Sequence, residues 1–274
     1  MRARPAAAIY YCMSPGLVRL HLATGEVYHQ RPTMRTQQAN PAAAASAPVC
    51  ILGMHRSGTS SLAGSLQEAG MNLGKHHTWN RFNQRGNREN QDIVDFHDSL
   101  LESNGGSWSK PPRKLRWTSA QEQQARDIAG SFSAGSPWGF KDPRTLLVLE
   151  LWRKVSPDLR LVGIFRHPLA VAKSLQRRSG GRQSIEQGMQ LWLNYNQRLL
   201  QERQKSAFPL LCFDQEPEAF RASLRNACES LGLPRADAAH NFYDPSLKHF
   251  DSADFGGVPK AQLKLYRQLE DLCA

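Results

Sequence analysis

The sequence is short of acids. It carries 35 lysines and arginines against 24 aspartates and glutamates, leaving +11 over 274 residues. A surplus of that sign suits anionic ligands (phosphates, acidic saccharides, nucleic acid, lipid head groups) without choosing among them. Cysteine is scarce and poorly arranged for a structural role. Cys12, Cys50, Cys212, Cys228 and Cys273 are odd in number and include no C-x-x-C pair. That excludes structural zinc on paired cysteines and points to a reducing compartment, so a cytoplasmic location is the expectation. No apolar run approaches the roughly 20 residues needed to cross a bilayer. There is no internal repeat. Nor is there a basic-aromatic interleaved motif or a recognition helix, which speaks against nucleic acid as the partner. What is present, 40% hydrophobic residues at a mean hydropathy of −0.53, fits one large domain, or one domain with a loose arm.

The most informative stretch runs Val49-Cys50-Ile51-Leu52-Gly53-Met54-His55-Arg56-Ser57-Gly58-Thr59-Ser60-Ser61-Leu62. It opens as an apolar run of strand length, passes through a glycine-bracketed turn, and continues as a helix with apolar positions at Leu62, Leu66 and Ala69. Strand, glycine loop and helix in that order aim a row of backbone N–H groups from a helix N-terminus, an arrangement that binds phosphate. Gly53, Gly58 and Ser60 match the nucleotide loop G-x-x-x-x-G-K-[ST], but its lysine position holds Thr59. That lysine normally reaches the terminal phosphates of a triphosphate, so its loss counts against an ATPase or kinase. The nearest cation is Arg56, three residues earlier. The alternative is a glycine turn that binds nothing.

Residues 1–47 differ in composition from the rest. Ala42 to Ala45 with Pro5, Pro41 and Pro48 resemble linker, and Arg2, Arg4, Arg19, Arg31 and Arg35 face one acid, Glu26. Leu17 to Tyr28 could form a weak hairpin around Thr24-Gly25. An organelle transit peptide, a disordered arm and an extension upstream of initiation at Met34 all fit this start; the expectation is a flexible or weakly structured arm followed by a domain from 48 to 274. Polar residues 75–90 include His76, His77, Trp79, Arg81, Phe82, Arg85 and Arg88. Ile93, Phe96, Leu100 and Leu101 then recur at helical spacing, and 107–117 form a basic loop with Trp108 and Trp117. Thr118 or Ser119 can cap the next helix. Trp138 to Lys141 reads as a strand, with Asp142 and Pro143 opening a helix. Leu159 to Phe165 is a strand covered on both faces, ending in Arg166-His167-Pro168, which opens another helix. A long helix near 183–203, a strand at Phe208–Phe213, a helix from Asp214 to Leu231 and a terminal helix near 260–272 complete the chain. Alternation from 48 to 231 predicts an α/β fold: three α/β/α layers, P-loop-like, around a central parallel sheet. Ligands of such sheets sit beyond the strand C-terminal ends, where the glycine loop, Lys141 and Arg166 all fall.

Four stretches carry a resemblance. They are the glycine loop, Arg85-Gly86-Asn87-Arg88-Glu89-Asn90, Gly139-Phe140-Lys141-Asp142-Pro143-Arg144, and Phe165-Arg166-His167-Pro168 with Leu169 to Leu175. Together, over about residues 49–232, they resemble the sulfotransferases that use 3′-phosphoadenosine 5′-phosphosulfate (PAPS), above all bacterial members with a Gly-Met-His-Arg-Ser-Gly-Thr loop. The resemblance implies PAPS as donor and adenosine 3′,5′-bisphosphate as product. It implies a 5′-phosphosulfate site made by His55, Arg56, Ser57, Gly58, Thr59 and Ser60. The 3′-phosphate site would be Arg166 with Ser174, a planar fork plus a hydroxyl donor.

Sulfuryl transfer is an in-line displacement dominated by positioning and by stabilisation of the leaving phosphate, with less need for a metal, and none is expected. Arg56 would meet the developing charge, with Lys141 on the opposite side; a lysine satisfied by Asp142 or solvent is the plain alternative. Glu89 is the first choice of base for the acceptor hydroxyl or amine, with His76 or His77 as rivals and a helix-dipole acid as the plain alternative. His55 is expected to shape the loop, and Trp192 and Tyr195 to be core rather than adenine-stacking. The glycine-rich basic C-terminal loop of cytosolic members is absent; Asp244 to His249 is a possible stand-in. Asn87-Arg88 replaces residues that are often apolar in the family. The competing functions are a small-molecule kinase, against which no apolar run closing in Asp is apparent, and a non-catalytic anion-binding module. The acceptor is expected to be a carbohydrate or glycan from the basic surface; loop composition does not name the sugar, and the oligomeric state is not legible.

Overall fold

The computed structural model describes residues 47–79, 85–132, 136–247 and 255–273, and the backbone of 10–14, 17–22 and 25–30. Met34, Ala42 to Ala45, Arg81, Phe82 and the Lys248-His249 end of the expected C-terminal substitute lie outside the described residues. The chain forms two compact units, divided between Asn40 and Pro41. In the first, β1 (Tyr10–Ser14), β2 (Leu17–Leu22) and β3 (Gly25–Gln30) form an antiparallel sheet in the order β1-β2-β3. β2 and β3 pair from Leu17 opposite Gln30 to Leu22 opposite Gly25, the hairpin expected at this place; β1 had no sequence signal.

The second unit is built on four parallel strands, β4 (Val49–Leu52), β5 (Gly139–Lys141), β6 (Arg160–Phe165) and β7 (Leu210–Cys212), in the order β5-β4-β6-β7. Alternation along the strands feeds two cores. Val49, Ile51, Val162 and Ile164 face α1 (Thr59–Glu68) and α7 (Pro217–Ser230). Cys50, Leu52, Phe140 and Phe165 face the larger group: α2 (Gln91–Ser103), α3 (Ser119–Gly130), α4 (Thr145–Val155), α5 (Pro168–Arg178), α6 (Ile185–Lys205) and α8 (Lys260–Glu270). Helices therefore cover both faces of one parallel sheet, the three-layer α/β arrangement expected.

Local chemistry sets the boundaries. Thr118 and Ser184 each make a capping box, with Gln121 and Gln187, and start α3 and α6. Two helices start later than their sequences suggest. Asp142 spends its carboxylate on the Arg144 N–H (3.0 Å) and its carbonyl on the Thr145 N–H (2.9 Å), a turn that delays α4 to Thr145. Asp214 belongs to no helix, because its side chain turns back to Arg166 and His167, and α7 waits for Pro217.

The topology makes one crevice. β4 leads into α1 on one face, while its neighbour β6 leads into α5 on the other. Adjacent strands whose connections part to opposite faces open a gap at their C-terminal ends, where ligands of such sheets bind.

Candidate active site

The glycine loop fills that gap. Gly53 cannot carry a side chain, since a Cβ would lie 2.5 Å from the Ile164 carbonyl oxygen and 2.7 Å from Thr59 Cγ2. Gly58 has φ +88°, and a Cβ there would meet the Phe213 ring at 2.4 Å. The turn closes with Ser57 N–H on the Met54 carbonyl (3.2 Å), and α1 begins at Thr59. Arg56 is held at φ 67°, a left-handed conformation unusual for a residue with a side chain.

The two stretches expected to bind phosphate meet. Arg56 Nε donates to Ser174 Oγ at 2.8 Å, joining positions 118 apart in sequence. Arg166 is 6% exposed, stacks over the Phe213 ring at 5.2 Å, and lies 3.5 Å through Nε from Asp214 Oδ1. The cations crowd one another. Burial first, then the charges of Arg178, Arg166 and Arg177, lower the Arg56 guanidinium to about 10. Such a cluster is eased by an anion. Two more atoms fit one: His55 Nε2 and Ser57 Oγ are buried and make no hydrogen bond among the described residues.

Below the loop, Lys141 Nζ donates to Glu89 Oε1 at 2.7 Å, with Lys141 2% and Glu89 14% exposed. Asn87 Nδ2 donates to Glu89 Oε2 at 2.7 Å, and Ser60 Oγ to the Asn87 carbonyl at 3.2 Å. His55, Arg56, Thr59, Ser60, Glu89 and Lys141 line one cleft with Asn87, Pro143, Arg144 and Arg178. Lys141 is thus satisfied neither by Asp142 nor by solvent, but by the other acid–base candidate. Asn87, which broke the family pattern, is the residue that orients Glu89.

His76 and His77 do not line this cleft. His76 Nδ1 bonds the Gly74 carbonyl (2.9 Å) and His77 Nε2 the Gln91 side chain (2.7 Å). His55 packs on Trp108 at 4.6 Å, and burial, then the Arg144 charge, holds it well below 6.5, so it is neutral. Trp192 and Tyr195 are fully buried; they donate to the carbonyls of Arg166 and Trp108, both at 2.8 Å, and are core, as expected.

Sequence reading missed two acids and a histidine. His97 is buried between Trp152 and Asp142. The indole N–H donates to Nε2 at 2.7 Å, so the proton sits on Nδ1 and is donated to Asp142 at 2.8 Å. Burial would raise the Asp142 carboxyl, but His97 and Arg144 outweigh it and hold it well below the usual range. Arg144, clamped by Asp98 (2.6 Å) and Asp142 (2.9 Å), is fixed at the cleft wall. The i, i+4 apolar spacing of α2 could have exposed His97 as an inward position. Asp214 does close an apolar strand, contrary to expectation. Its oxygens serve Arg166 and the His167 N–H, so it holds an arginine.

The chain matches the Sulfotransferase family over residues 48–237 and belongs to it. Sulfuryl transfer is the chemistry that this membership supports. No curated protein matches the sequence significantly. The fold is similar to the sulfotransferase domain of the Synechococcus PCC 7002 olefin synthase, at 17% identity and a TM-score of 0.50 over 82% of this chain and 93% of that one. A weaker likeness, 14% identity and a TM-score of 0.39 over 82% and 77%, links it to the sulfotransferase STF1 from Mycobacterium tuberculosis H37Rv. Among the described residues no helix is long and apolar enough to cross a membrane.

Proposed function

We propose that the protein moves a sulfuryl group from PAPS to a hydroxyl or amine of an acceptor, with a carbohydrate or glycan as acceptor. The observation that carries this reading is the 2.8 Å bond from Arg56 to Ser174, which brings both phosphate motifs to one crevice. A donor with phosphates at both ends of one nucleoside needs two such anion pockets side by side. The loop N–H groups with Arg56, Thr59 and Ser60 take the 5′-phosphosulfate; Arg166 and Ser174 take the 3′-phosphate.

In the step itself the acceptor oxygen forms a bond to sulfur as the bond from sulfur to the bridging phosphate oxygen breaks. Glu89 receives the acceptor proton, and Arg56 and Lys141 meet the charge left on the phosphate. Glu89 and Lys141 hold each other in the structure. Phosphate entering the cleft gives Lys141 a second anion and releases one oxygen of Glu89 for the acceptor.

The acceptor reading rests on charge. Lys110, Arg113, Lys114 and Arg116 are exposed on the loop that sets Trp108 against His55, and Arg177 and Arg178 are exposed at the end of α5. Such a rim suits an acidic glycan. A reducing, cytoplasmic setting is supported by Cys50, Cys212, Cys228 and Cys273 being free thiols.

The donor is tested by thermal unfolding. Adenosine 3′,5′-bisphosphate should raise the melting temperature without magnesium, and ATP with magnesium should not; equal or greater stabilisation by ATP would favour the kinase. Incubation with labelled PAPS and an extract of host glycans and lipids then asks which fraction gains sulfate, and label confined to lipid would remove the glycan.

A further inference from the structure

The segment that presents Glu89 is held from outside the cleft. Its backbone is tied to residue 77, by His77 N–H on the Glu89 carbonyl (3.1 Å) and Arg88 N–H on the His77 carbonyl (3.2 Å), and to α1 by Ser60 Oγ on the Asn87 carbonyl (3.2 Å). Arg88 sits at φ 58°, a conformation that needs support. His76 Nε2 lies 3.4 Å from Arg88 Nη1, and a second support is a ring far along the chain. The guanidinium of Arg88 lies 4.7 Å and that of Arg85 5.3 Å from the centre of the Phe242 ring. Arg85 also donates to the Phe242 carbonyl and lies 3.6 Å from Asp244. Phe242 is itself seated on α1: a Cβ at Gly64 would lie 2.2 Å from its ring, so the helix is bare there to admit it.

We propose that Phe242, gripped by Arg85 and Arg88, and Asn87 are positioning residues for Glu89. Phe242 fixes the loop on α1, and Asn87 fixes the carboxylate within the loop. The inference rests on reading Glu89 as the base. Phe242 therefore explains what the segment after α7 does for the reaction, although it does not line the cleft.

Two measurements separate the proposal from that reading. In the full chain, Phe242→Leu keeps an apolar side chain and removes the ring faces; Arg88→Gln is the second variant should the first fold poorly. Either should speed hydrogen exchange at amides 85–90 by about tenfold while leaving α4 and β6 unchanged. Asn87→Ala should leave that exchange unaltered and lower kcat by about tenfold or more with the KM for PAPS unchanged, since a donor that orients the carboxylate is lost. Transfer is read on the acceptor fraction labelled above. Unchanged exchange in both loop variants would overturn the latch, and a loss in Asn87→Ala expressed only in the KM for PAPS would overturn the role of Asn87. If Glu89→Gln keeps full turnover while the loop variants still exchange faster, the latch stands and the assignment of the base falls.

Discussion

The Lys141–Glu89 pair makes a prediction whose two halves differ in size. Glu89→Leu strands the Lys141 ammonium, which is 2% exposed and makes its described hydrogen bond to Glu89 alone. Breaking a buried pair from one side costs about 3–5 kcal/mol, because a charge is left uncompensated. Lys141→Met is milder. Glu89 is 14% exposed and keeps the Asn87 amide at 2.7 Å, so water and one donor remain, and the loss is about 1–2 kcal/mol. At about 2–4 °C per kcal/mol for a domain of this size, the melting temperature falls by about 6 °C or more in the first case and about half that or less in the second. Adenosine 3′,5′-bisphosphate should then shift Glu89→Leu upward more than wild type, since the stranded ammonium gains a phosphate. The assay is thermal unfolding with and without the nucleotide, backed by the double variant for a coupling energy. Equal losses from the two substitutions, or a nucleotide shift no larger in Glu89→Leu than in wild type, would show that Lys141 does not face the donor.

Other outcomes follow from the same geometry. Ser174→Ala removes a hydroxyl bonded to Arg56 and should weaken bisphosphate binding by about tenfold in calorimetry, the worth of one hydrogen bond to a charged group. His55 is neutral when folded and titrates near 6.5 when unfolded, so the unfolded chain binds the extra proton. Its contribution to stability is full above pH 6.5 and declines as pH falls below it; His55→Phe should flatten denaturant midpoints between pH 5 and about 6.5, and an unaltered slope would mean that the ring is protonated in the fold. Arg56→Gly should be more stable than Arg56→Ala by about 1 kcal/mol, because φ 67° suits glycine, while both lose transfer. The reverse order of stability would deny the left-handed loop.

The layout of the fold was legible because its signals are local. Continuous apolar runs named β4 and β6, and Thr118 named the start of α3. Errors came where a side chain serves a distant partner. Asp142 and Asp214 both read as helix openers, since an acid before proline or an apolar stretch is the usual cap. Each instead answers a partner far off in sequence: His97 for Asp142, Arg166 for Asp214. The candidate site residues were named by motif, but their pairing was not legible. Nothing local says that Lys141 closes on Glu89, or that Arg85 and Arg88 close on Phe242, because those contacts exist only once the sheet is assembled.

The displaced cation of the loop is the point where these strands of reasoning join. A lysine at position 59 would sit on the first turn of α1 with ordinary helical backbone. This chain has threonine there and places its cation at Arg56, at a backbone angle that costs an ordinary residue about 1–2 kcal/mol. It also half-buries that cation near the charges of Arg178, Arg166 and Arg177, and burial first, then those charges, lower its guanidinium to about 10. Neither cost returns stability to the free protein, and one hydrogen bond to Ser174 offsets only part of them. Cations drawn this close are eased by an anion. On the proposed reading, the planar fork of Arg56, joined to Ser174, suits a ligand with anionic groups at both ends better than a triphosphate chain with its charge at one end.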